Sequence, residues 1–145
     1  MRTRGANGVG RFSVEFEVAN YGDMTMVQRG KLRPEQVRRR IISGVVDPGA
    51  TKLVLPAAVV KELGLPRADQ IKVHYADGRT ARRYEANGVF LEMLGRHDTF
   101  SAIVEPKRQT ALIGAMVLEA LDLLVDCRDQ RLVPRDPRGA VFEIE

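Results

Sequence analysis

Tryptophan is absent from the 145 residues, cysteine occurs once and histidine twice. The one cysteine, Cys127, has no partner for a disulfide within the chain. With only His74 and His97 beside it, it supplies neither a zinc ligand set nor a Cys–His nucleophilic pair. The histidines lack ligand-like spacing and are expected on exposed strand positions, so no metal and no cofactor is expected. Long apolar runs are missing too. None approaches the ~20 residues that cross a bilayer, and no membrane partner is expected. Residues 1–10 carry basic side chains with no apolar stretch behind them, unlike a secretory leader, and a cytoplasmic location is the expectation. Charge of one sign is also scarce, with 23 basic against 19 acidic residues and a net charge of +4. The densest basic runs, Arg38-Arg39-Arg40 and Arg82-Arg83, have no aromatic residue interleaved to stack on bases. They read as solvated faces, and nucleic acid is not the expected partner.

What is present fits one globular domain spanning residues 1–145, with a core over about 12–134 and flexible ends at 1–10 and 135–145. Hydrophobic residues make up 44% and charged residues 29%, as in ordinary folded chains. The pattern is strand-rich, with two short helices. F-S-V-E-F-E-V at 12–18 alternates apolar and polar positions and predicts a half-buried strand. Residues 20–23 read as a turn, 24–28 as a return strand, and 31–40 as a polar connection with a helical turn after Pro34. The β-branched run at 41–46 predicts a buried strand, and 53–55 another, closed by Pro56 at the start of a helix that Gly64 ends. Strands at 71–75 and 80–84 flank Asp77-Gly78, a hairpin signal. Asn87-Gly88 reads as a further turn before a strand at 89–94. Strands at 99–104, 123–126 and 131–133, a helix over 116–121 and a last alternating stretch at 140–145 complete the pattern. The expectation is all-β, a closed or sandwiched sheet.

One position carries a chemical signal. The apolar strand Val45-Val46 delivers Asp47 into Asp47-Pro48-Gly49, and a second apolar strand follows at once. A carboxylate at a strand end is held by backbone, which suits a group that must be positioned before it reacts. Asp, Pro and Gly are also common turn formers, so a plain turn accounts for the same three residues. Asp122, Asp126 and Asp129 lack the glycine turn and read as structural or surface carboxylates.

V-V-D-P-G-A-T-K-L-V-L-P resembles the active-site segment of retropepsin-like aspartic proteases, of the small bacterial type. The match continues in order: the Asp77-Gly78 hairpin where that family keeps its flap, Ala111-Leu112-Ile113-Gly114 before a short helix, and E-A-L-D-L-L-V-D-C-R-D-Q-R-L-V-P as the closing helix and strands. The resemblance covers about 12–134. It implies a closed acid-protease β-barrel with one lobe per chain, dimerising, and Asp47 as the catalytic residue. It also implies an active-site loop of Pro48, Gly49, Ala50 and Thr51, and a flap of Ala76, Asp77, Gly78 and Arg79. Leu112, Ile113 and Gly114 would support the cleft. Only one such Asp-x-Gly is present, so the second carboxylate must come from another copy. Two carboxylates that close cannot both ionise, and the pair shares one proton. The expected activity is that of a homodimeric aspartic endopeptidase acting on a peptide or protein substrate.

One departure bears on that activity. The family has Thr or Ser directly after the aspartate, and Pro48 supplies neither the hydroxyl nor a backbone N–H. Two alternatives therefore stay open beside the protease. The first is a catalytically weak or silent dimer that binds peptides or partner proteins in the same cleft. The second is a β-barrel that binds nucleic acid through Arg38, Arg39 and Arg40.

Overall fold

The computed structural model describes residues 11–145; the expectations of a flexible, leaderless start at 1–10 lie outside the described residues. In chain order come β1 (Phe12–Asn20), α1 (Tyr21–Gln28), β2 (Arg39–Val46), β3 (Leu53–Pro56), α2 (Ala57–Leu63) and β4 (Arg67–His74). They are followed by β5 (Thr80–Met93), β6 (Arg96–Glu105), β7 (Ala111–Ile113), α3 (Ala115–Ala120), β8 (Leu123–Asp126) and β9 (Arg131–Pro134). A 3-10 turn at Pro34–Gln36 sits where Pro34 predicted one. Seven strands form one sheet in the order β1-β2-β7-β3-β6-β5-β4, and β1 also pairs with β5. That extra pairing closes six strands into a barrel and leaves β4 appended outside β5. The separate β8–β9 hairpin follows. The closed β-barrel expected from the sequence is the observed architecture, with three α-helices rather than two.

Alternation builds the barrel wall. In β1 it puts Phe12, Phe16 and Val18 into the core, and β2 answers with Ile42 and Val46 in the antiparallel register Phe12↔Val46 and Phe16↔Ile42. Gly44 makes room for the Phe16 ring, because a Cβ there would lie 2.7 Å from it. Leu53, Leu55, Leu91, Ile113 and Val117 fill the interior. Each such side chain stabilises the fold by about 1.5–3 kcal/mol, and the packed interior fixes the strand ends from which the loops spring. Helix α2 buries Val59 and Leu63 and stops at Gly64, whose φ of 62° is the left-handed cap. Pro56 stands one position earlier than expected, as the N-cap.

Three expectations are corrected. The segment 20–28 is neither turn nor return strand: Asn20 ends β1 and Tyr21–Gln28 form helix α1. Asn20 is its N-cap, accepting the Asp23 N–H at 2.9 Å, as Asn commonly does. None of the residues of α1 is buried, so the segment carries no apolar period that would betray a helix. Asn20 itself is 4% exposed and donates from Nδ2 to the Leu63 carbonyl at 2.8 Å, tying α1 to the end of α2. Asn20→Ala loses both bonds, and a thermal melt is expected to show about 2 kcal/mol of destabilisation. An unchanged melt would contradict this tie.

The Asn87-Gly88 turn is a bulge inside one long strand. The β5–β6 register shifts between Ala86 and Val89, and Gly88 takes a φ of 71°, as bulges with left-handed glycine do. The bulge lets β5 serve two neighbours. Its first half pairs with β4 and its second half pairs with β1, which is how the barrel closes. The alternation at 140–145 does not give a strand either, since nothing in the described protomer pairs with it. Instead the Val141 N–H donates to Asp122 Oδ2 at 3.0 Å, and Arg135 grips the same carboxylate at 2.7 and 3.0 Å.

These bonds, with that of Arg135 first, hold the Asp122 carboxyl below the usual aspartate range. The stability Asp122 contributes is thus complete above its unfolded pKa of about 3.9 and is lost as pH falls through the depressed folded value. Acid titration of Asp122→Asn should show a shallower loss of stability below about pH 4 than the wild type. Parallel curves would contradict the assignment. Asp122, Asp126 and Asp129 are thus structural or surface carboxylates, the last two paired with Arg131.

Candidate active site

Asp47 begins where β2 ends. Parallel pairing of β2 with β7 sets Val46 beside Ile113, and the Asp47 N–H donates to the Ile113 carbonyl at 3.0 Å. The next residues form a turn, with the Ala50 N–H on the Asp47 carbonyl at 3.0 Å. Pro48 is the second residue of that turn, where its fixed φ is favoured and no N–H is required. Pro48 therefore fits the loop without leaving a backbone hydrogen bond unmade. Asp47 Oδ1 accepts the Gly49 N–H at 3.0 Å. Oδ2 accepts from Arg11 Nη2 at 2.6 Å. The Asp47 side chain is 12% exposed, against 45% for Arg11: a nearly buried carboxylate with a cation on its outer side.

Helix α3 holds this loop from behind. The Ala115 and Met116 N–H groups donate to the carbonyls of Ala50 and Thr51 at 2.8 and 2.9 Å. Helix-start donors that lack an intrahelical acceptor are satisfied by the loop itself. The approach needs Gly114, since a Cβ there would fall 2.5 Å from the Lys52 carbonyl oxygen and 2.8 Å from that of Ala50. Among the described residues, Thr51 Oγ1 has no hydrogen-bond partner; the turn does not use the hydroxyl, which stays exposed beside the cleft.

That cleft, of about 630 Å³, lies between the loop and the β4–β5 hairpin. Gly49, Ala50, Thr51 and Leu112 line it from the loop side, and Tyr75 and Arg79 from the hairpin. Of the expected flap residues only Arg79 faces it. Ala76, Asp77 and Gly78 form the exposed tip, where Gly78 takes a φ of 91° and Arg79 pairs with Asp77 at 2.7 Å. Pro48 is exposed and does not line the cleft, Ile113 is buried in the barrel, and Gly114 lies under the loop.

Several contributors escaped the sequence reading. The Tyr75 hydroxyl donates to Glu105 at 2.5 Å, and Arg83 donates to the other oxygen of Glu105 at 2.9 Å. This network moors the hairpin to β6. Burial, and next the Glu105 carboxylate, push the Tyr75 hydroxyl above its ordinary pKa. Lys52 is paired with Glu85, and Arg108 reaches the cleft from the loop before β7. Pairs such as Tyr75 with Glu105 link distant strands and leave no local motif. Tyr75→Phe removes one mooring bond of about 1 kcal/mol. The hydrogen-bonded amides of Tyr75 and Gly78 are then expected to exchange roughly fivefold faster, and unchanged exchange would mean the hairpin is held otherwise.

The basic run is occupied. Arg38 pairs with Asp23, Arg39 with Glu17 and Arg40 with Glu62, so each has a carboxylate partner already. His74 and His97 are exposed strand residues. Among the described residues no cluster of His, Cys, Asp or Glu is built to hold a metal ion, and no helix is long and apolar enough to cross a membrane.

Residues 36–117, more than half of the chain, match the model of a family described as aspartyl protease. The chain belongs to that family. The matched stretch contains the Asp47 loop, the β4–β5 hairpin and β7 with Gly114. A solved structure it resembles is the EIAV protease complexed with the inhibitor HBY-793, at 20% identity over 56% of this chain and 77% of that one, with a TM-score of 0.46. No curated protein matches the chain.

Proposed function

We propose that the chain is a homodimeric aspartic endopeptidase in which Asp47 of each copy supplies one of two catalytic carboxylates. The observation that carries this is the nearly buried Asp47, pinned through its own N–H to Ile113 and followed by Gly49, Ala50 and Thr51, which border the cleft beside the β4–β5 hairpin. In the dimer the two carboxylates share one proton. The ionised one takes a proton from a water molecule as the water oxygen bonds to the scissile carbonyl carbon. The protonated one donates to the carbonyl oxygen, and collapse of the adduct then breaks the C–N bond as the amine leaves with a proton. The β4–β5 hairpin covers the substrate and excludes water.

Two further features support a dimer. A single lobe provides one Asp-x-Gly loop, half of what this chemistry needs. The tail leaves Phe142 and Ile144 exposed at 60% and 95%, two alternate apolar positions outside the core and suited to packing against another copy. A cytoplasmic site of action remains part of this proposal.

A second reading, a peptide-binding dimer without turnover, is favoured by one observation. Arg11 occupies Asp47 Oδ2, and Pro48 brings no hydroxyl to bridge the two loops. Incubating the protein with an unfolded protein substrate from acidic to neutral pH, with fragments followed by mass spectrometry, separates the two. Fragments are the expected result. An intact substrate across the whole range, from protein that sediments as a folded dimer, would sink the protease reading and leave the binding one.

A further inference from the structure

The cleft beside Asp47 holds more positive charge than its own carboxylates answer. Glu105 is taken by Tyr75 and Arg83, Glu85 by Lys52, and Asp77 by Arg79. Arg108, which lines the same cleft, forms no ion pair among the described residues. Its hydrogen bonds go to one neighbour, from Nε to the Thr110 carbonyl at 2.8 Å and from Nη2 to Thr110 Oγ1 at 3.1 Å. These orient the guanidinium and leave Nη1 without a partner among the described residues. Burial pushes the Arg108 pKa down, and the charges of Glu105, Arg11 and Asp47 all reach it. Glu105 and Asp47 offset part of the cost of that burial, but each is already paired with another cation. A partly desolvated cation with no ion pair of its own is costly to keep. A ligand that brings a carboxylate offsets that cost and gains a charge-assisted bond.

We infer that Arg108 is a specificity-determining residue that recognises a carboxylate of the bound peptide, so that the cleft takes extended segments carrying an acidic group among apolar side chains. The apolar part follows from Val54, Ile71, Val73, Ile103 and Leu112, which line the same space. Lys72, also lining it and exposed, adds to the positive field. The inference rests on the protease reading for its cleavage assay, but not for its binding assay.

The test is a set of apolar peptides that differ by Glu, Gln or Lys at single positions, each made with a free and an amidated C-terminus. They are offered to the wild type, Arg108→Gln and Arg108→Lys. The wild type should cleave the best Glu peptide about tenfold faster than its Gln twin, the scale of one bond to a charged group. Arg108→Gln should level the two, and Arg108→Lys should restore part of the preference. A preference that follows the free C-terminus instead would make the terminal carboxylate the group recognised. Equal rates for Glu and Gln peptides with either terminus, or a preference that survives in Arg108→Gln, would overturn the inference. If nothing is cleaved, the protease reading fails, and the same peptides are titrated by fluorescence anisotropy. Tighter binding of the Glu peptide, lost in Arg108→Gln, keeps the site; equal affinities or no binding overturn it.

Discussion

Asp47→Asn is expected to abolish peptide cleavage while leaving the protein folded. The two effects separate because the two oxygens of Asp47 have different partners. Asparagine keeps an acceptor for the Gly49 N–H, which Asp47 now holds at 3.0 Å. What it loses is the charge that pairs with Arg11, a half-exposed partner, and such pairs contribute about 0–1 kcal/mol. The melting temperature should therefore move by no more than a few degrees. Asparagine neither takes a proton from water nor shares one with a second carboxylate. General acid–base catalysis of this kind supplies about 10²–10⁴-fold each way, so turnover should drop by at least roughly 10³-fold. Retained cleavage in a highly purified variant would place the catalytic group elsewhere.

Gly114→Ala is expected to destabilise the barrel and the Asp47 loop together. The backbone at Gly114 is extended, with φ −89° and ψ −179°, so conformational freedom is not the issue. The obstacle is steric. The new methyl would sit within 2.8 Å of three backbone atoms of the Ala50–Lys52 segment, and backbone cannot rotate away as a side chain can. Either the Asp47 loop lifts off α3, losing the bonds from Ala115 and Met116 at 2.8 and 2.9 Å, or β7 shifts in the barrel. Overpacking costs about 1–3 kcal/mol, and two lost hydrogen bonds add about 1 kcal/mol each. A total of roughly 3–5 kcal/mol is a large share of the stability of one domain. Denaturant unfolding would measure it, and a loss below about 1 kcal/mol would mean that the loop is not held as tightly as described. If the variant stays folded, its cleavage should still fall, because Asp47 follows the loop.

The barrel was legible in the sequence wherever burial imposed a period. Alternation at 12–18, the β-branched run before Asp47, and the Pro56 and Gly64 boundaries of α2 all have one-dimensional signatures. The strand end at Asp47 and the turn at Gly49 also follow local rules, whereas the need for Gly114 comes from its close approach to the Ala50–Lys52 segment. The misses share a cause. Helix α1 buries none of its residues and is held by a cap and a tie from Asn20, so it has no periodicity to read. Gly88 marks a bulge rather than a turn because β5 must change partners from β4 to β1, a fact of barrel closure that no local window contains. Arg11, Tyr75, Glu105 and Arg108 meet Asp47 or its cleft only after six strands have closed. Their roles come from long-range contacts, such as the 36-residue separation of Arg11 and Asp47.

The central claim is that two copies share one active site, each contributing one Asp47. Mixing the wild type with Asp47→Asn at constant total protein, under conditions of free subunit exchange, tests it most directly. If the site is shared, a heterodimer is dead, and cleavage falls as the square of the wild-type fraction. Cleavage that falls in direct proportion to that fraction would contradict the account, because each lobe would then be working alone.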